Sequence, residues 1–262
     1  MNEMFIIQGN IKNLQIEGSK IHPLRNIEKQ AVGSAMLGTL ASSSALMTNV
    51  PILLMAARGV DAKTFTCEVS GYKVIGQFTT VQFKENDPLI LVISKEKEQG
   101  RHLVYSVLEP KTGLLYMMYE MGRSIRNGIK SIFKLAISFF LILFSILILI
   151  LIGHNFLSED KIDFFSFDFL KDLLFLVVFG LAFFLLTFLG ALYKSNKKAG
   201  ELSEKVFSIL GFKSVDEQDF YNDFIIKDGV HVSVMEYRKN LKGPDPYPED
   251  YFDKKRAVET LN

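Results

Sequence analysis

The chain has 262 residues, 48% of them hydrophobic, and a formal net charge of +1. Near-neutral charge leaves no electrostatic footprint for a nucleic-acid partner, and a single cysteine, Cys67, cannot close an internal disulfide. What remains open is one or two small folded domains beside a membrane-embedded part.

Residues 1–30 read as N-terminal strands, with MFIIQG and IKNLQIEG on either side of Asn10. Residues 31–57, AVGSAMLGTLASSSALMTNVPILLMAA, carry no charge at all. Pro51 disfavours helix at the residue before it, so two short helices are expected, Gln30–Leu46 and Pro51–Ala57. Ser34, Gly38 and Ser42 recur every four residues and share one helix face, small enough for a close-packed neighbour. Two readings stand for this segment: a helix pressed against a β-domain, or a membrane-embedded or re-entrant element.

Residues 58–125 read as a small antiparallel β-domain. TFTCEV and YKVIGQFT flank Ser70-Gly71, a two-residue hairpin signal, and LILVIS, RHLVYSVL and LLYMMYE follow at short spacing. Gly76 inside a strand marks a bulge or bend.

Residues 126–198 read as a transmembrane hairpin, with spans at about 134–153 and 172–193. Leu135–Gly153 and Leu173–Leu192 carry no ionisable side chain, and about 20 apolar residues cross a bilayer core as a helix. Arg123, Arg126, Lys130 and Lys134 precede the first run, and Lys194, Lys197 and Lys198 follow the second. The connector holds Glu159, Asp160, Asp163, Asp168 and Asp172. Basic flanks stay cytoplasmic, which places both termini there and a short acidic loop outside. Within the spans, Ser138 and Ser145 are seven apart, as are Gly180 and Thr187, with Gly190 near the Thr187 face. These residues form either a weakly polar lining in an assembly of several copies or a helix–helix seam whose hydroxyls bond back to their own helix. Small-residue seams favour lateral association, so homo-oligomers are expected.

Residues 199–262 are expected to hold an amphipathic helix, Glu201–Leu210, stopped by Gly211. A hairpin with its turn at Lys227-Asp228-Gly229 follows. The tail from Lys242, with Pro244, Pro246 and Pro248 among charges, reads as extended or poorly ordered.

No residues point to catalysis. His22, His102, His154 and His231 are scattered, and no nucleophile, phosphate-loop or dinucleotide motif appears. Cys67 lies in a strand without a basic neighbour to activate it. The expectation is no enzyme, no cofactor and no metal.

The order of elements resembles a known family. The residues that carry the likeness are Val69-Ser-Gly-Tyr-Lys-Val-Ile-Gly-Gln-Phe, VQFKENDPLILVI, HLVYSVLEP with LLYM after it, Gly122-Arg123-Ser124, and SEKVFSILGFKSVDEQDF. Together they resemble proteobacterial two-span membrane proteins described as type VI secretion system effectors, over most of residues 5–125 and 199–220. Family members often carry a Pro-His-Cys-Ser-Arg-Gly-like run before the membrane, where this chain has Tyr119-Glu120-Met121-Gly122-Arg123-Ser124. The resemblance implies an effector of the bacterial inner membrane that inserts in or permeabilises a target membrane by oligomerising. Its partners would be the lipid bilayer, further copies of the chain, and a secretion-system or immunity protein. The residues alone leave an alternative: a resident inner-membrane anchor, assembly or immunity protein whose cytoplasmic β-domain binds a protein partner. Either way the expected fold is an α+β membrane protein, a two-helix transmembrane hairpin with a small antiparallel β-rich cytoplasmic domain.

Overall fold

The computed structural model describes residues 3–21, 60–98, 100–118, 121–157, 167–221, 226–227, 230–231 and 234–259. The chain divides into two compact units. One, the β-unit, joins Met1–Ser124 to Leu202–Asn262; the other, the helical unit, is Ile125–Glu201.

The β-unit starts with β1 (Met4–Ile21), which is one long strand and not the two short ones expected around Asn10. The register shifts between Lys12 and Gln15, and Asn13 takes a φ of 55° there. Asparagine tolerates that left-handed conformation better than most residues, and an extra residue in a ladder bends the strand. The bend is pinned from a distance: the Glu85 carboxylate accepts the Asn13 and Leu14 amides at 2.7 and 2.8 Å. As a result the second half of β1 pairs with β2 (Val60–Val69) and the first half with β4 (Pro88–Glu98). β2 turns into β3 (Tyr72–Phe78) through Ser70 and Gly71, both at positive φ as a tight primed turn requires. β5 (Arg101–Glu109) runs antiparallel to β4 and parallel to β3 at Val74–His102 and Ile75–Leu103.

Those last pairings close the sheet. Going round, the order is β1, β2, β3, β5, β4 and back to β1, a five-stranded Greek-key barrel of the OB-fold kind. β6 (Leu114–Met117) and β9 (Val234–Glu236) continue the sheet from the far end of β5. Between them in sequence, β7 (Ile226–Lys227) and β8 (Val230–His231) form a separate antiparallel pair. The barrel core is aromatic: Phe65 lies 5.3 Å from Phe78 and 5.1 Å from Phe83, and Phe83 lies 5.2 Å from Tyr116, centroid to centroid. Gly76 is required beneath these rings, because a Cβ there would meet the Phe65 ring at 2.5 Å.

The helical unit comprises α1 (Ile125–Leu157) and α2 (Phe167–Ile209), the latter ending in the β-unit. The helix expected over Glu201–Leu210 is therefore the last part of α2 and not a separate element. Leu202, Val206, Phe207 and Leu210 bury that end in the β-unit core. The Phe212 amide bonds Phe207 O at 2.9 Å and the Gly211 amide bonds Ser208 O at 3.0 Å, with Gly211 at φ 74°. That pair of bonds is a Schellman stop.

Two expectations are corrected here. The chain is not a two-helix transmembrane hairpin with a small antiparallel β-domain. Its centre is the closed five-stranded barrel, which includes a parallel pairing. Among the described residues a single helical stretch, Ile125–Ile150, is long and apolar enough to cross a bilayer; the second helix offers only Val177–Thr187. At about 1.5 Å per residue that shorter stretch extends roughly 16 Å, against the ~30 Å of a hydrocarbon core. A second span at 172–193, and the multi-pass arrangement resting on it, is thus not carried. The second correction concerns the tail. α3 (Tyr237–Asn240) and α4 (Tyr251–Glu259) flank an ordered segment. Arg238 holds it, with Nε 2.8 Å from Asp245 and Nη2 donating to the Pro110 and Tyr247 carbonyls. The prolines shape a path over the sheet, and the arginine fixes it.

Candidate functional site

Two surfaces stand out, one on each unit. On the helical unit, large apolar side chains face outward: Leu149 is 68% exposed, Phe183 72% and Leu186 75%. Phe184 stacks on Phe139 at 5.9 Å and tilts against Phe140 at 6.1 Å, and a Cβ on Gly180 would lie 3.7 Å from the Phe140 ring. Of the five residues expected to form a seam or lining, Gly180 is the one placed at this contact. Ser138, Ser145, Thr187 and Gly190 are exposed. The Ser145 hydroxyl donates to Leu141 O at 2.8 Å, and the Thr187 hydroxyl lies 3.0 Å from the carbonyls of Phe183 and Phe184. These groups are satisfied by their own helix and present little polarity outward.

The basic residues divide. Arg126, Lys130, Lys134, Lys197 and Lys198 are exposed on the helical unit. Lys194 lies within α2, its side chain outside the described residues. Arg123 belongs to the β-unit, where it is half-buried. Its Nε donates to Asp219 at 3.0 Å, its Nη2 lies 3.4 Å from Tyr221 O, and its guanidinium sits 4.9 Å over the Tyr221 ring. With the backbone bridge between Arg123 and Asp219 and the Gly122 amide bonded to Ser203 Oγ at 3.0 Å, this arginine clamps the strand exit to the segment after α2. Ser34, Gly38 and Ser42 lie outside the described residues, as do His22 and the 31–57 segment.

On the β-unit, a cavity of about 650 Å³ opens between the ends of β4 and β5 and the α4 segment. Asp87, Glu109, Glu249, Asp250 and Asp253 contribute carboxyls to it, with Lys111 and Arg256 beside them. Burial is the main reason the Glu109 carboxyl titrates above its ordinary 4.5. Its hydrogen bond with Thr112 acts against that, the nearby Asp87 carboxylate adds to it, and Lys111 lowers it. These residues come from positions about 20 and 140 apart in sequence, so no linear motif marks the cavity.

Inside the barrel the chemistry is quiet. His102 Nδ1 lies 2.7 Å from Ser94 O, its ring edge-on to Phe5 and Tyr72. Burial pushes the Cys67 thiol up to about 12, which keeps it protonated and unreactive at neutral pH. Burial likewise raises the Tyr116 hydroxyl, reinforced by Glu109 and Asp87. Among the described residues no group of histidine, cysteine or carboxylate side chains is arranged to hold a metal ion. Set against known proteins, the chain matches no family model, no curated protein and no solved structure.

Proposed function

We propose that this chain is a membrane-tethered scaffold: the helical unit holds it in a lipid bilayer through Ile125–Ile150, and the β-unit serves as a binding module for a protein partner. The observation that carries the reading is the outward apolar surface of α1 and α2. Exposed apolar patches beyond a few hundred Å² mark membrane or partner contact. Leu135–Gly153 carries no ionisable group, and ion pathways through membranes are marked by such groups. Together with the self-satisfied Ser145 and Thr187 hydroxyls, this favours an anchor over a conducting assembly. Because β6 pairs with β9, the N- and C-terminal segments share one sheet. The proposal puts the basic flank that precedes the Leu135–Gly153 run on the cytoplasmic side of a bacterial inner membrane. The barrel's role as a binding module rests on fold analogy, since barrels of this kind bind oligonucleotides and oligosaccharides on strands 2–3 and their loops; a protein partner is proposed because the near-neutral chain offers no charge footprint for nucleic acid. No catalytic role is proposed.

The second reading is the effector suggested by family resemblance, in which copies assemble through exposed small residues such as Gly190 and permeabilise a target membrane. Reconstitution of the full chain in planar bilayers separates the two. A scaffold gives a silent bilayer at any protein-to-lipid ratio, and its partner co-purifies with it from solubilised membranes. Discrete conductance steps that grow with protein concentration would discard the scaffold reading in favour of the effector.

A further inference from the structure

The contacts within the helical unit fix its helices in an antiparallel register. A Cβ on Gly200 would lie 2.8 Å from Ile125, and Phe140 meets Gly180 and Phe184. Residues 126–134 of α1 therefore lie level with about 191–199 of α2. On α1, Arg126, Lys130 and Lys134 are spaced by four and form one stripe; on α2, the same level holds Tyr193, Lys197 and Lys198. All six are exposed. The Lys197 ammonium sits 5.9 Å over the Tyr193 ring and 3.9 Å from Glu201. No acidic residue occurs between Glu120 and Glu159 or between Asp172 and Glu201, so cations outnumber acids along this band. The apolar surface begins immediately beyond it, with Leu135 56% exposed and Phe139 47% exposed.

We infer that this band is a collar for anionic phospholipid headgroups, an inference that rests on the membrane-tethered reading above. A band of cations and a tyrosine about 12 Å deep, abutting bare hydrocarbon-facing side chains, matches a bilayer's own profile of charged headgroup, interface and acyl chain. An acidic protein surface fits the charge and not the apolar step that follows it. The lysine stems lie along the helix while their ammonium groups reach the phosphates, and Tyr193 sits at the interfacial level that aromatic rings favour.

The test uses the full chain in neutral detergent, with lipid binding counted by native mass spectrometry. Phosphatidylglycerol should bind at least tenfold more tightly than phosphatidylcholine, with the difference shrinking as salt rises. Each of Lys130→Gln, Lys134→Gln and Lys198→Gln should weaken phosphatidylglycerol binding about fivefold, while Lys130→Arg, which keeps the charge, leaves it unchanged. Equal binding of the two lipids, or full competition by inorganic phosphate at millimolar concentration, would overturn the collar. Alkaline carbonate extraction of native membranes tells the two failures apart. A chain that stays in the pellet yet shows no lipid preference loses only the collar; a chain released to the supernatant loses the tethering with it.

Discussion

In the β-unit, Tyr105, Tyr116, Phe65 and Phe78 are wholly enclosed, and polar contacts bridge distant parts of the chain, as between Arg238 and Pro110. In the helical unit, phenylalanines, leucines and isoleucines of the same kinds point outward. Burying one such side chain is worth about 1.5–3 kcal/mol in water, so a surface that leaves many of them bare is stable only when something other than water covers it. The contrast teaches that the same residue types are enclosed in one unit and turned outward in the other. In the barrel, shape complementarity encloses them; on the helices, the proposed tether assigns that role to lipid.

The sharpest way to break that comparison is to truncate a phenylalanine in each unit. Phe65→Ala removes a ring at the centre of the barrel aromatic cluster and should lower β-unit stability by about 3–5 kcal/mol in urea unfolding. Phe183→Ala, at a 72% exposed site, should change stability in detergent by less than about 0.5 kcal/mol. Comparable losses at the two sites would mean that Phe183 is buried in a protein core. A smaller effect is expected at the clamp. Arg123→Ala deletes a charged hydrogen bond to Asp219 and should cost about 2 kcal/mol; Asp219→Ala added to it should cost little more, since both act through one contact. An additive double variant would show that the pair is not coupled. Tyr237→Phe removes a hydroxyl that lies 2.9 Å from both Asp245 and the Tyr247 carbonyl, and should cost about 1 kcal/mol, read as a shift in urea midpoint at constant slope.

The smallest effect is a pH dependence. Glu109 titrates above its ordinary 4.5 in the folded chain, so its contribution favours folding at acidic pH. That contribution is fully present below 4.5 and is lost as pH rises through the raised folded value. Glu109→Gln should flatten the stability profile just above pH 4.5, and an unchanged slope there would mean the carboxyl is solvated.

Some of this architecture was legible in the sequence. Ser70-Gly71 announces the β2–β3 turn because only a few residues accept two successive positive φ angles, and the strands after it follow from short apolar runs. The rest depends on partners far along the chain. The bend that makes β1 a single strand is held by Glu85, 72 residues from Asn13. Arg123 reads as a membrane-boundary charge because it precedes an apolar run, yet its partner Asp219 lies 96 residues away. The helical break expected before Glu201 fails because residues 194–201, mostly lysine, alanine and glutamate with single asparagine, serine and glycine residues, lose little by staying helical. The acidic cavity draws on three separated segments, and no local pattern marks it. For the membrane question, apolar run length identifies α1, while among the described residues α2 carries no second span.

The most direct measurement is of what covers the helices. A nitroxide on Leu149→Cys or Ile142→Cys, in a Cys67→Ala background reconstituted in bilayers, reports its surroundings by electron paramagnetic resonance. The expected result is strong relaxation by oxygen, which concentrates in hydrocarbon, and protection from a water-soluble nickel complex. Protection from both reagents would place those positions in a protein interior, and strong relaxation by nickel alone would place them in water; either outcome contradicts a lipid-covered helical unit.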